Sequence, residues 1–109
     1  MDKSIDSVKN FWENNPLFTG ESNEERGTKK FFEEHTQVYI NDCFGGKFDQ
    51  RTIPKDLKGK TVLDLGCGIG FWVVQISKSN PKKIIAADLT NNALKLTQQR
   101  CELLDIKNV

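Results

Sequence analysis

The sequence predicts an α/β fold, the first half of a doubly wound parallel sheet behind an α-helical N-terminal arm. Three observations carry this reading. The run Thr61-Val62-Leu63-Asp64-Leu65 is strand-like and passes straight into glycines at 66, 68 and 70, after which an apolar helical pattern begins. A second apolar run, Lys83 to Asp88 (KIIAAD), follows one short helical stretch later. Upstream lie two stretches with apolar residues at helical spacing and no strand-like run. Strands alternating with helices call for a parallel sheet with right-handed crossovers.

Taken in order, Ser4 to Asn14 reads as a helix, with Ile5, Val8, Phe11 and Trp12 on one stripe, Ser4 as its cap and Asn14-Asn15-Pro16 as its end. Residues 16–27 (PLFTGESNEERG) are loop-like, punctuated by Pro16, Gly20 and Gly27. A second helix is expected from about Thr28 to Cys43. Phe31, Phe32, His35, Val38, Tyr39 and Cys43 form its apolar stripe, the mixed charges from Lys29 to Glu34 form a solvated face, and Gly45-Gly46 stops it. Lys47 to Gly59 is a polar connector with Pro54 and a turn at Lys58-Gly59-Lys60. It divides the chain into a helical arm, 1–58, and the N-terminal half of an α/β domain, 59–109. Phe71 to Ile76 make a short helix ending near Ser79-Asn80-Pro81, with Trp72 packing that first helix of the α/β part on the sheet. The KIIAAD strand is apolar on both faces and so expected to be central. Thr90 or Asn91 caps a last helix bearing Ala93, Leu94, Thr97, Cys101 and Leu104, and Asp105 to Val109 looks like a turn and the start of a third strand.

The chain has 109 residues, 28% of them charged, with a formal net charge of +1. That balance offers no electrostatic case for nucleic acid or an anionic membrane. No apolar run approaches the ~20 residues that span a bilayer, and the N-terminus lacks a signal-peptide layout. A soluble, cytoplasmic protein is expected. Cys43, Cys67 and Cys101 lie far apart, with no CxxC pair and His35 as the one histidine, so no metal site is expected. Cys67, inside the glycine loop, is read as a small residue suited to a tight turn, since a reactive thiol needs a base that is not in sight.

A strand, a glycine turn and a helix bring bare backbone against a small molecule, and two acids say which kind. Asp88 ends the second strand, 22 residues beyond Gly66, where an acid accepts hydrogen bonds from ribose hydroxyls in nucleotide-binding units. Asp64 sits in an apolar strand two residues before Gly66, where an unpaired charge is costly. A carboxylate there opposes a pyrophosphate drawn to a helix N-terminus and favours a ligand carrying a cation. The glycine spacing agrees, being GxGxG rather than the GxGxxG of dinucleotide binders. Capping of loop amides by Asp64 is compatible with this role.

VLDLGCGIG followed by IIAADLT resembles the first two motifs of the class I S-adenosylmethionine-dependent methyltransferases, firmly over about Gly59 to Leu104. The arm, with FWENNP, EERG-KKFFEE and Tyr39, looks like the lead-in of small-molecule-type members. The resemblance implies a Rossmann-like fold and S-adenosylmethionine as cofactor. It implies that Gly66, Cys67, Gly68 and Gly70 let the methionine part lie along the backbone and that Asp64 orients that end. Asp88 would bind the ribose hydroxyls and Leu89 would lie against the adenine. Catalysis would be positioning of an acceptor nucleophile in line with methyl and sulfur, with the acceptor a small molecule. No residue stands out as a catalytic base. Phe31, Phe32 and Tyr39 are expected in the core, with Tyr39 reaching the cofactor as the lesser alternative. Trp12 could touch substrate, and His35 is expected to be a satisfied, partly buried histidine rather than a catalyst.

The resemblance also implies a seven-stranded sheet, of which two strands and the start of a third are legible. The acceptor half of the site is therefore expected to be missing, the chain to be an incomplete fragment, and Val62 to Leu65 to present an edge open to self-association. A non-catalytic cofactor-binding module and an NAD(P)-type nucleotide binder are the alternative readings.

Overall fold

A computed structural model describes residues 4–15 and 22–109, so Pro16 and Gly20 of the expected loop lie outside the described residues. The elements run α1 (Ile5–Asn14), α2 (Lys29–Phe44), a 3-10 turn (Gln50–Thr52), β1 (Thr61–Leu65), α3 (Phe71–Ser77), β2 (Lys83–Ala87) and α4 (Asn91–Leu103). Hydroxyl caps set three of the helix starts. Ser4 accepts the N–H of Ser7, Thr28 that of Phe31 and Thr90 that of Ala93. No helix among the described residues is long and apolar enough to cross a membrane.

β1 and β2 pair in parallel, with Val62 opposite Ile84 and Asp64 opposite Ala86. α3 and α4 cover the face that carries Ile84, which is buried, while Ile85, Leu63 and Leu65 remain exposed on the other. β2 is thus apolar on both faces, as its sequence predicts, but covered on one. The buried apolar strand expected around Asp64 is likewise half open, Leu65 being 80% exposed. Beyond α4 the chain turns back along the far edge of β2, where the Ile84 N–H donates to the Asn108 carbonyl at 2.8 Å. This is the direction expected of a third strand, although residues 106–109 form no regular strand.

Two apolar clusters hold the layers. Cys67, Val73, Ile84 and Cys101 fill the space between sheet and helices, with Ile76, Ala86, Leu94 and Ile106 around them. Phe31 and Phe32 of α2 pack on Ile69 of the glycine loop and Leu96 of α4, with Val38 beside them. The arm's second helix therefore shares a core with the α/β part. Cys43 is exposed, so the apolar stripe of α2 ends before it.

Trp72 does not pack α3 on the sheet as expected. Its indole N–H donates to the Tyr39 hydroxyl at 2.9 Å, and its ring meets Phe44 and Phe48 edge-on or tilted. Tyr39 in turn stacks on Phe71, with centroids 4.1 Å apart. In a helix as short as α3, Phe71 and Val73 face inward and Trp72 is left to face the arm. The connector is more ordered than its polarity suggests. The Ser79 hydroxyl donates to the Pro54 carbonyl at 2.6 Å, and the Leu57 N–H to the Ser79 carbonyl at 2.9 Å.

α1 differs again. Its stripe of Ile5, Val8, Phe11 and Trp12 is exposed, and the helix is held through Glu13. That carboxylate accepts the N–H groups of Asn91 and Asn92 at 2.9 and 3.0 Å, and the Asn92 side-chain amide donates to the Glu13 carbonyl. An acid on the first amides of α4 meets both unpaired donors and the positive end of the helix dipole.

Candidate functional site

The glycine loop leaves the end of β1 and is fastened at successive residues. The Gly66 and Cys67 N–H groups both donate to the Ala87 carbonyl, at 2.7 and 2.9 Å. The Gly68 N–H donates to Asp88 Oδ2 at 3.0 Å, and the Gly68 carbonyl accepts the Thr97 hydroxyl at 2.8 Å. The loop thus bridges the ends of both strands and the side of α4.

Its glycines serve two purposes. Gly66 and Gly68 have φ of +77° and +54°, and a Cβ built on either meets nothing within 4 Å, so both face open space. Gly70, at φ +93°, faces Thr97, whose Cγ2 and Oγ1 would lie 3.2 Å from an added Cβ. The first pair leaves room for a ligand against the backbone. Gly70 instead lets the start of α3 approach α4, so a second cause, helix packing, accounts for it beside the cofactor contact expected there.

Asp64 and Asp88 come together at the carboxyl ends of the two strands, where ligands bind in open α/β sheets. Asp88 is well satisfied: besides Gly68, its Oδ1 accepts the N–H and hydroxyl of Thr90 at 3.0 and 3.1 Å. Asp64 is not. Its Oδ2 is buried with no hydrogen-bond partner. Burial pushes the Asp64 carboxyl above its ordinary range, and the nearby Asp88 charge pushes it further. An orphaned acceptor in a negative environment fits a cationic donor, such as an α-ammonium group.

A cleft of about 340 Å³ opens over the loop, lined by Val8, Trp12, Gly66, Gly68, Asp88, Leu89, Thr90 and Ala93. Leu89, 47% exposed, offers an apolar surface beside Asp88, and Trp12 faces the same space from α1. Cys67 is buried. Burial raises its thiol pKa, against the lowering effect of the Thr97 hydroxyl 3.8 Å away, so the sulfur stays a protonated packing group.

Asp64, Gly66, Cys67, Gly68, Asp88 and Leu89, which the sequence leads one to expect at a cofactor, lie together at the carboxyl ends of β1 and β2, on supports that the sequence does not signal. Thr97 and Thr90 were legible only as helical spacing and a cap, although both are buried. Arg100 carries no signal in the sequence that marks it as a core residue. It lies seven residues after Ala93, on the inward stripe of α4, and is 2% exposed. His35, also buried, meets Arg100 Nη1 through Nδ1 at 3.0 Å. Since arginine only donates, Nδ1 is an unprotonated acceptor. Burial and then the Arg100 charge lower the His35 pKa to about 4. Committed to this pair within the core, His35 is unsuited to proton transfer in the cleft.

Residues 56–109, which include the whole loop and Asp88, match a family described as a methyltransferase domain. Among curated proteins the chain is similar to ribosomal protein L11 methyltransferases. That of Alkaliphilus metalliredigens (strain QYMF) is 35% identical over 49 residues, 45% of this chain and 16% of the relative. That of Vibrio campbellii is 36% identical over 53 residues, 49% and 18% of the two chains. That of Legionella pneumophila (strain Corby) is 44% identical over 43 residues, 39% and 15%. The matched stretch spans less than a fifth of each of these relatives. No solved structure matches the chain.

Proposed function

Residues 56–109 belong to the methyltransferase domain family, and from that premise we propose that the cleft over the glycine loop binds S-adenosylmethionine as methyl donor. The observation that carries the reading is the buried, partnerless Oδ2 of Asp64 beside two glycines that face open space. Bound there, the cofactor supplies a methyl group on a sulfonium centre. Asp64 receives the ammonium of the methionine part, and the arriving cation restores the carboxylate charge that burial disfavours. Gly66, Cys67 and Gly68 present backbone along that part. Asp88 retains one acceptor site on Oδ2 after its three internal bonds, enough for one ribose hydroxyl. Leu89 backs the adenine, while Val8 and Trp12 cover the cleft and limit water. The residues described contribute binding and orientation; none is assigned as a general base.

A pyrophosphate ligand fits poorly. The Gly68 N–H that would receive a phosphate oxygen already donates to Asp88, and Asp64 adds a second repelling carboxylate. Calorimetric titration of the full chain with S-adenosylhomocysteine and with NAD separates the two. Binding of the first alone supports the donor-site reading, and binding of NAD alone removes it. Transfer of labelled methyl separates an active enzyme from a non-catalytic cofactor-binding module.

For the acceptor, the arm's resemblance suggests a small molecule, whereas the relatives are named for a ribosomal protein, so the comparisons lend the small molecule no support. The family match, residues 56–109, holds the glycine loop, Asp64 and Asp88. A protein acceptor is the second reading, favoured by those names. The three unpaired cysteines suit a reducing, cytoplasmic location.

A further inference from the structure

The cofactor loop is fastened from behind as well as from the cleft side. Arg100, on α4 and almost wholly buried, sends its guanidinium to two other parts of the fold. Nη1 donates to the Ile69 carbonyl at 3.2 Å and to His35 Nδ1 at 3.0 Å. Nη2 donates to the Thr36 hydroxyl at 2.5 Å and, more weakly, to the Phe32 carbonyl at 3.4 Å. The guanidinium also lies over the Phe32 ring, 5.2 Å from its centroid. Ile69 stands between Gly68 and Gly70, and its side chain is clamped by Phe31, Phe32 and Leu96.

No carboxylate among the described residues pairs with this arginine. Burying a guanidinium among neutral acceptors is costly, and burial, opposed in lesser part by Cys101, lowers its pKa to about 10. A packed apolar residue would hold α2 on α4 at less cost. What an apolar residue cannot do is hold the Ile69 carbonyl and three acceptors of α2 at fixed separations through one rigid plane.

We infer that Arg100 is a positioning residue for the cofactor loop, joining the Ile69 carbonyl to His35, Thr36 and Phe32 of α2 so that docking of the arm sets the loop's posture. The inference rests on the cofactor reading above for its consequence, but its geometry is that of the free chain. The cleft face of the loop holds the ligand at Gly66 and Gly68. Its rear is held at Ile69, one residue away. Slackening at the rear lets Gly68 move relative to Asp88 and Asp64, so affinity is lost without removal of any group that touches the cofactor.

The test uses the full chain with Arg100→Lys, Thr36→Val and, as control, Ser79→Ala, which removes a part-buried hydrogen bond just beyond the far end of α3. Two readouts are taken: affinity for S-adenosylhomocysteine, and amide exchange at Gly70, whose N–H donates to the Cys67 carbonyl. Arg100→Lys is expected to weaken binding about tenfold and Thr36→Val about threefold, as for loss of one or two buried hydrogen bonds. Both should speed Gly70 exchange more than exchange of the β2 amides, which follow global unfolding. The control should lower the melting temperature and change neither readout. Thr36→Val, which leaves the charge and the Ile69 contact in place, decides the matter if Arg100→Lys fails to fold. Affinity and Gly70 exchange that change only in step with global stability would overturn the inference. If the unaltered chain fails to bind S-adenosylhomocysteine, the cofactor reading fails, and Gly70 exchange alone decides whether Arg100 positions the loop.

Discussion

The Asp88 carboxylate accepts the Gly68 N–H at 3.0 Å, tying the end of β2 to the middle of the loop that leaves β1. Asp88 is thus a loop fastener as well as the expected ribose acceptor. Asp88→Ala should weaken S-adenosylhomocysteine binding roughly 10- to 100-fold, the scale of one or two charge-assisted hydrogen bonds. Asp88→Asn, which keeps an acceptor oxygen, should lose less. Isothermal titration calorimetry measures both, and unchanged affinity in Asp88→Ala removes Asp88 from the site.

Gly70 is fixed by packing and backbone conformation. Gly70→Ala places a Cβ 3.2 Å from Thr97 on a backbone with φ +93°, and should destabilise the fold by about 1–3 kcal/mol. Thr97→Ser, which deletes the Cγ2 in the way, should recover part of that loss in the double variant. Urea unfolding of the two single variants and the double variant gives the coupling.

His35 gives stability a pH dependence in a defined window. Its pKa falls from 6.5 to about 4 on folding because burial and Arg100 disfavour the charged ring. The unfolded chain therefore takes up the proton first. Stability is complete above about pH 6.5 and declines as pH falls toward 4, by an amount on the order of 3 kcal/mol. His35→Gln should flatten the decline between pH 6.5 and 4.5 in thermal melts, whereas an equal slope in both proteins would remove His35 as its source.

Leu63 and Leu65 are exposed, and β1 pairs on one edge with β2 and on the other with no strand among the described residues. Such an edge recruits strands. The chain on its own should associate as concentration rises, and Leu65→Lys should reduce that association. Sedimentation velocity over a concentration series checks it, and a monomer with a sharp, reversible two-state melt contradicts it.

The loop and its two acids were legible because each breaks a local rule. Asp64 puts a charge in an apolar strand, and the glycines interrupt a run that would otherwise pass from strand to helix. Local patterns of this kind survive in sequence. The helices were legible from caps and periodicity, within a residue at Thr28 and Asn14. Pairings across long separations were not. Nothing near Arg100 in the chain signals His35, 65 residues earlier, and a charged side chain on a helix reads as solvated until its face is known. Glu13, 78 residues before the Asn91 amide it accepts, is hidden for the same reason. Trp72 was misplaced because in a two-turn helix spacing alone does not decide which residues turn inward.

The central claim is that Asp64 holds the cationic end of an adenosyl ligand, and paired affinities test it most directly. S-adenosylhomocysteine and 5′-methylthioadenosine share a thioether-bearing nucleoside and differ in the amino-acid end. Unaltered protein should prefer the first by at least ~10-fold, as expected for a buried charge-assisted contact. Asp64→Asn should lower that preference to near unity while leaving affinity for 5′-methylthioadenosine little changed. An unaltered preference in Asp64→Asn would contradict the claim.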